Sequence, residues 1–345
     1  MNAKENARRI ISFDHPEWVA AGLPTYEIRY HGSNHEGFGD ELGDDHPVGF
    51  RWVDIWGTGW HKVHPGVMGL PEDNPLARAA HLDRYRWPDP NDERICAKIY
   101  QMAADFPGGD CFLAGSHRDT LWEKAYMLVG MEAMMMYFLT EPGFARKVLH
   151  RIMDFQLGIA EHYVGLGVEY VQLGDDLGTQ KGPLLGPRIV EEFLVPEYER
   201  LMCFYRERDV LIGFHSCGDV STVLQTFMRL GVDVLNPVQA TANDLLQIRA
   251  LTQGRMALMG GVSSATVMDG PVERIIDEVR ERLWQLGREG GYFCRPDQGL
   301  PFPEAHVRAL HKAVETYGHY PLRPPATTAR PAESEAGVLV EEEAI

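Results

Sequence analysis

The chain has 345 residues, 44% hydrophobic and 24% charged, enough to bury a substantial core in one large domain or two ordinary ones. Its formal charge of −17, from 50 Asp and Glu against 33 Lys and Arg, opposes non-specific attraction to nucleic acid or anionic membrane. The opening "MNAKENARRIISFDHPEW" lacks the apolar core of a secretory signal, and no run of about 18 apolar residues follows, so a cytoplasmic protein is expected.

Taken in chain order, "VGFRWVDIWGTGW" predicts an aromatic strand and turn, "CFLAGS" (111–116) a barrel strand, and 119–165 a mostly helical stretch. Within that stretch "MEAMMMYFL" is expected to be ordinary core packing. The second half is more regular. Strand-length apolar runs at "VEYVQL" (168–173), "VLIGF" (210–214), "VDVLN" (232–236), "MALMGG" (256–261) and "GYFC" (291–294) alternate with segments of helical apolar spacing. Gly231, Gly254 and Gly290 fall at helix exits, where a left-handed residue is wanted. Successive βα units of this kind predict an α/β fold of the (β/α)8 TIM-type barrel, as a single domain over residues 1–320. From Pro321 the composition, "PLRPPATTARPAESEAGVLVEEEAI", predicts a disordered acidic tail.

The chemistry concentrates where predicted strands end. In "GFHSCGD", His215 and Cys217 lie two apart, so they project to one face while Ser216 points to the other. That face is the C-terminal mouth of a barrel, where such folds place their sites. An imidazole and a thiolate form two corners of a tetrahedral zinc site. A core cysteine beside an incidental histidine gives the same pattern, so a third ligand decides. Cys294, ending the last predicted strand, is the candidate; Cys96 and Cys203 fall in helices and Cys111 begins a strand, at the barrel bottom. An odd cysteine count without an export signal argues against disulfides and leaves metal binding open. Beyond another strand end, "VQLGDDLGTQKGPLLGP" offers Asp175 and Asp176 as metal or substrate carboxylates, with Gln180 close behind. Asn236 and Gln239 in "LNPVQ" are further substrate-binding candidates.

The blocks "DIWGTGW", "LWEKAYMLVGMEAMMMYFLTEP", "VQLGDDLGTQKGPLLGP", "HSCGDV", "GVDVLNPVQ", "MGGVSS" and "GGYFCRPDQGLPFPEAHVRALHKAVETYG" together resemble the uroporphyrinogen decarboxylase superfamily, and within it the corrinoid-dependent methyltransferases. The resemblance implies a zinc methyltransferase that moves a methyl group between a corrinoid (cobalamin), supplied by a partner corrinoid protein, and a small thiol, methoxy or amine compound. His215 and Cys217 match the His-x-Cys zinc ligands of that branch. Cys294 is the cysteine left to be the third. Where "PDQGLP" is aligned to the family's Pro-Gly-Cys-Gly turn, Gln298 takes the ligand position instead. Asp176 and Gln180 would serve catalysis, and Asp175, Asn236, Gln239 and Gln298 the substrate. Two alternatives stand beside this: a decarboxylase of tetrapyrroles, whose arginine-rich substrate segment has no clear counterpart here, and a non-catalytic corrinoid-protein-binding relative.

Overall fold

The structure is a computed structural model and describes residues 1–325. Seven parallel strands are laid side by side in the order of the sequence: β1 (Thr25–Ile28), β2 (Phe112–His117), β3 (Tyr170–Gly174), β4 (Leu211–His215), β5 (Val234–Val238), β6 (Ala257–Val262) and β7 (Tyr292–Pro296). Ala20, just ahead of β1, forms a parallel bridge with Phe293, and its carbonyl accepts from the Cys294 N–H at 2.8 Å. That segment stands where an eighth strand would, and the curled sheet is a TIM-type barrel. Every apolar run marked as a strand in the second half lies in this sheet, and "CFLAGS" supplies β2.

The helix Ala3–Ser12 closes the bottom of the barrel. Asn2 caps it by accepting from the Glu5 N–H at 2.8 Å. Ala7, Ile10 and Ile11, on one helical face, pack into a cluster with Phe112, Ala114, Tyr170, Val234, Ala257, Met259 and Phe293. At the other end the chain from 31 to 75 leaves the barrel pattern. The predicted aromatic strand and turn become two strands, Arg51–Val53 and Gly59–His61, joined by Leu70–Asp73 in a three-stranded antiparallel sheet.

Gly231 ends the helix Leu224–Leu230 with φ 87°, the left-handed exit expected of it. "MEAMMMYFL" is core on one side only: in the helix Met131–Thr140, Met134 and Phe138 are buried, whereas Met136 and Leu139 are 54% and 78% exposed. Each residue turns a helix by about 100°, so the seven consecutive apolar residues from Ala133 to Leu139 cannot share one buried face. Among the described residues no helix is long and apolar enough to cross a membrane. Leu322, inside the segment expected to be a tail, packs against Gly287; residues 326–345 of that segment lie outside the described residues.

Candidate metal centre

Strand alternation sorts the residues at the barrel mouth. On β4, Ile212 and Phe214 belong to the core under the helices, so His215 points into the lumen, and Cys217 follows it one period later. Ser216 points the other way, fully buried, and its Oγ accepts from the Leu177 N–H at 3.0 Å. On β3, Val171 and Leu173 face the helices, which sends Asp176 to the lumen and Asp175 away from it.

Two glycines let the loops after β3 and β4 touch. A Cβ on Gly178 would stand 2.5 Å from the Asp219 carbonyl oxygen, and one on Gly218, at φ +80°, would stand 2.4 Å from the Gly178 carbonyl carbon. This contact carries Asp176 to the Cys217 backbone, whose N–H donates to Oδ1 at 2.8 Å. Gln239, 5% exposed, holds the same loop by accepting the Gly218 N–H at 2.5 Å, and Gln180 donates to Gln239 at 3.0 Å. Both glutamines therefore brace the loop. Asn236 is paired with His215 across the sheet and lies at the lumen edge.

Asp176, His215 and Cys217 each offer one donor atom, and these lie within 4.8 Å of one another, the one such group among the described residues. His215 Nε2 is 3.3 Å from Cys217 Sγ and 3.5 Å from Asp176 Oδ1. Bonds of about 2.0–2.3 Å around a tetrahedral ion separate neighbouring ligands by roughly 3.3–3.8 Å, so the nitrogen, sulfur and oxygen donors fit a zinc ion in spacing and in type. Burial lowers the His215 pKa despite Asp176, leaving the imidazole neutral as a ligand must be. Burial, with Asp176 next, pushes the Cys217 thiol up to about 12, and a bound dication would favour its thiolate. The Gln298 amide donates to Cys217 Sγ at 3.3 Å, so it stands beside the trio.

Cys294 does not complete this site. β7 runs on to Pro296, and along it Tyr292 and Cys294 join the core beneath the helices while Phe293 belongs to the lumen cluster. The thiol is fully buried on the far side of the sheet, and Asp176 occupies the third corner that the sequence reserved for it. Cys294→Ser is expected to leave metal uptake unchanged while costing about 1–3 kcal/mol of stability for a buried hydroxyl; metal titration and urea unfolding of the variant check both. Asp175 is likewise structural rather than substrate-binding. It is fully buried, accepts the Leu121 and Glu123 N–H groups at 2.8 and 2.7 Å, and takes the Tyr198 hydroxyl at 2.6 Å.

Two residues not singled out from the sequence matter here. Glu123, in the first turn of the helix Trp122–Val129, accepts from the Tyr126 hydroxyl at 3.0 Å. Burial, followed by Asp119, Asp175 and Asp176, pushes its carboxyl up to about 9, so it holds its proton at neutral pH. Because the unfolded chain ionises this group near 4.5 and the folded chain does not, stability falls as pH rises from there toward 9. Glu123→Gln should therefore stabilise the protein by about 3 kcal/mol at pH 7 and by almost nothing at pH 4. Denaturant unfolding at the two pH values measures the difference. The second residue, Asp119, sits at φ 51° beyond β2 and binds His35 Nε2 at 2.6 Å; His35 Nδ1 in turn binds Asp44 at 2.9 Å. This link fastens the 31–75 excursion over the mouth.

Fold and site together define a barrel protein with its reactive groups at the C-terminal ends of parallel strands. The chain belongs to the uroporphyrinogen decarboxylase (URO-D) family, whose model matches residues 70–317. Among solved structures it is similar to a methyltransferase from Methanosarcina mazei, at 17% identity and a TM-score of 0.67, covering 92% of this chain and 99% of that one. A B12-independent methionine synthase from Shewanella sp. W3-18-1 aligns at 12% identity and a TM-score of 0.38, over 50% of this chain and 53% of that one. No curated protein matches.

Proposed function

We propose that this chain is a zinc-dependent methyltransferase, passing a methyl group between a corrinoid on a partner protein and a small thiol, methoxy or amine compound. The observation that carries the reading is the spacing of the Asp176, His215 and Cys217 donors. Zinc held there would supply Lewis-acid chemistry, favouring the thiolate of a bound thiol or polarising a methoxy or amine group. With three protein donors, the fourth direction is free for substrate, the pattern of catalytic rather than structural zinc. Glu123, which holds its proton at neutral pH and feels the Asp176 carboxylate, would be the group to exchange a proton as substrate charge changes. Asn236 and Gln298 border the same space and orient what enters it. The family membership and the likeness to a methyltransferase fold agree with this reading.

The test supplies zinc-loaded protein with free methylcobalamin and a panel of thiols. Thiol-dependent loss of the cobalt-bound methyl group, with the methyl thioether found by mass spectrometry and neither seen with Cys217→Ala, is the expected result. Conversion of uroporphyrinogen at a rate indifferent to zinc removal would overturn the proposal in favour of decarboxylation.

A further inference from the structure

We propose that Arg295 anchors a carboxylate on the substrate, so that the small compound handled at this mouth is an acid with an apolar body. This deepens the methyltransferase reading and rests on it for the word substrate. Arg295 follows Cys294 on β7 and takes the opposite, lumen-facing side: its Nη1 lies 3.8 Å from Sδ of Met259, a lumen residue. It is half-buried, and among the described residues no carboxylate lies within ion-pair distance of it. Arg118, the other arginine acting on His215, is already committed, with Asp44 at 2.9 Å and Asn34 at 2.8 Å. Burial lowers the Arg295 pKa, and no neighbouring acid offsets that burial.

Arg295 borders a cavity of about 360 Å³ whose other walls include Leu300, Phe302, Val307 and His311. Gln298 also lines this cavity, and its amide reaches Cys217 Sγ at 3.3 Å, so one side chain links the cavity to the trio. A volume of this order suits a small molecule, and its walls are mostly apolar. A half-buried guanidinium without a counter-ion is unfavourable, and in a chain of charge −17 with 50 acidic side chains none among the described residues stands against it. The missing anion is one that the ligand brings, and a planar carboxylate matches the guanidinium fork.

Calorimetric titration of the full-length protein with phenylacetate and with neutral phenylacetamide tests this, in zinc-loaded and chelator-treated samples. The parent is expected to bind the acid at least about tenfold more tightly than the amide in both samples. Arg295→Gln should abolish that preference, and Arg295→Lys should keep part of it. Zinc uptake by Arg295→Gln should equal that of the parent. Equal affinities in the parent, no binding of phenylacetate, or a preference that survives Arg295→Gln overturns the proposal. A preference confined to zinc-loaded protein overturns it too, because the acid would then be binding the metal. A protein that takes up no zinc yet keeps the Arg295-dependent preference supports the anchor while removing the methyltransferase reading.

Discussion

Replacing Cys217 with alanine is expected to abolish stoichiometric zinc uptake by an otherwise folded protein, and His215→Ala to do the same. Both side chains are partly accessible at the mouth rather than packed in the core, so truncation should cost stability no more than about 1 kcal/mol. Their loss falls on the metal. Removing even an outer partner of a metal ligand costs about 10–100-fold in affinity, and removing a ligand from a three-donor site costs more. Asp176→Ala is expected to show a second effect, because Oδ1 also accepts the Cys217 N–H: the loop after β4 loses a fixed point along with a ligand. Zinc per chain after dialysis, measured by atomic absorption beside a circular dichroism melt, separates metal loss from unfolding. Folded Cys217→Ala that keeps one zinc would place the ion elsewhere.

Asp119→Asn should be the most destabilising of the conservative changes, at about 3–5 kcal/mol, because it leaves buried charges without their partner. Burial works against the charge on His35, but Asp119 and Asp44 outweigh it and raise the histidine's pKa. Burial likewise works against the charge on Asp119, and His35, Arg118 and Lys124 overcome it and hold the carboxyl well below its usual range. The raised histidine contributes in full below about pH 6.5 and loses its contribution as pH rises through its folded value. The lowered aspartate contributes above about pH 4 and loses its contribution as pH falls. The pair is thus worth most between those limits, and the gap between Asp119→Asn and the parent should be widest near pH 6 and narrower at pH 9. Urea unfolding at the two values reads this directly. His35 stacks on Trp60 at 4.0 Å, so near-ultraviolet circular dichroism should also register release of the excursion.

The barrel was legible because its signal is local: each βα unit carries its own apolar run, helical periodicity and glycine exit. His215 and Cys217 were legible for the same reason, since two residues on one strand need only a period of two to share a face. Cys294 shows where that reasoning stops. In "GYFC" every side chain is apolar or neutral and both faces of the strand are buried, so the run carries no alternation from which to tell lumen from helix layer. Taking the strand to end at Cys294 put the thiol at the mouth; the strand continues for two residues, and Arg295 faces the lumen instead. Asp175 and Asp176 are equal in sequence and opposite in role, because β3 decides which of two neighbours turns inward. Glu123 and Asp119 were not legible at all. Their meaning lies in partners such as Asp176 and His35, far away in the chain, and burial supplies what composition cannot.

Zinc X-ray absorption on the loaded parent tests the central claim most directly, because it counts sulfur ligands. One sulfur at about 2.3 Å with nitrogen or oxygen neighbours at about 2.0–2.2 Å is the shell that Asp176, His215 and Cys217 would give. Two sulfurs per zinc would bring Cys294 into the site and contradict the facing of β7 described above.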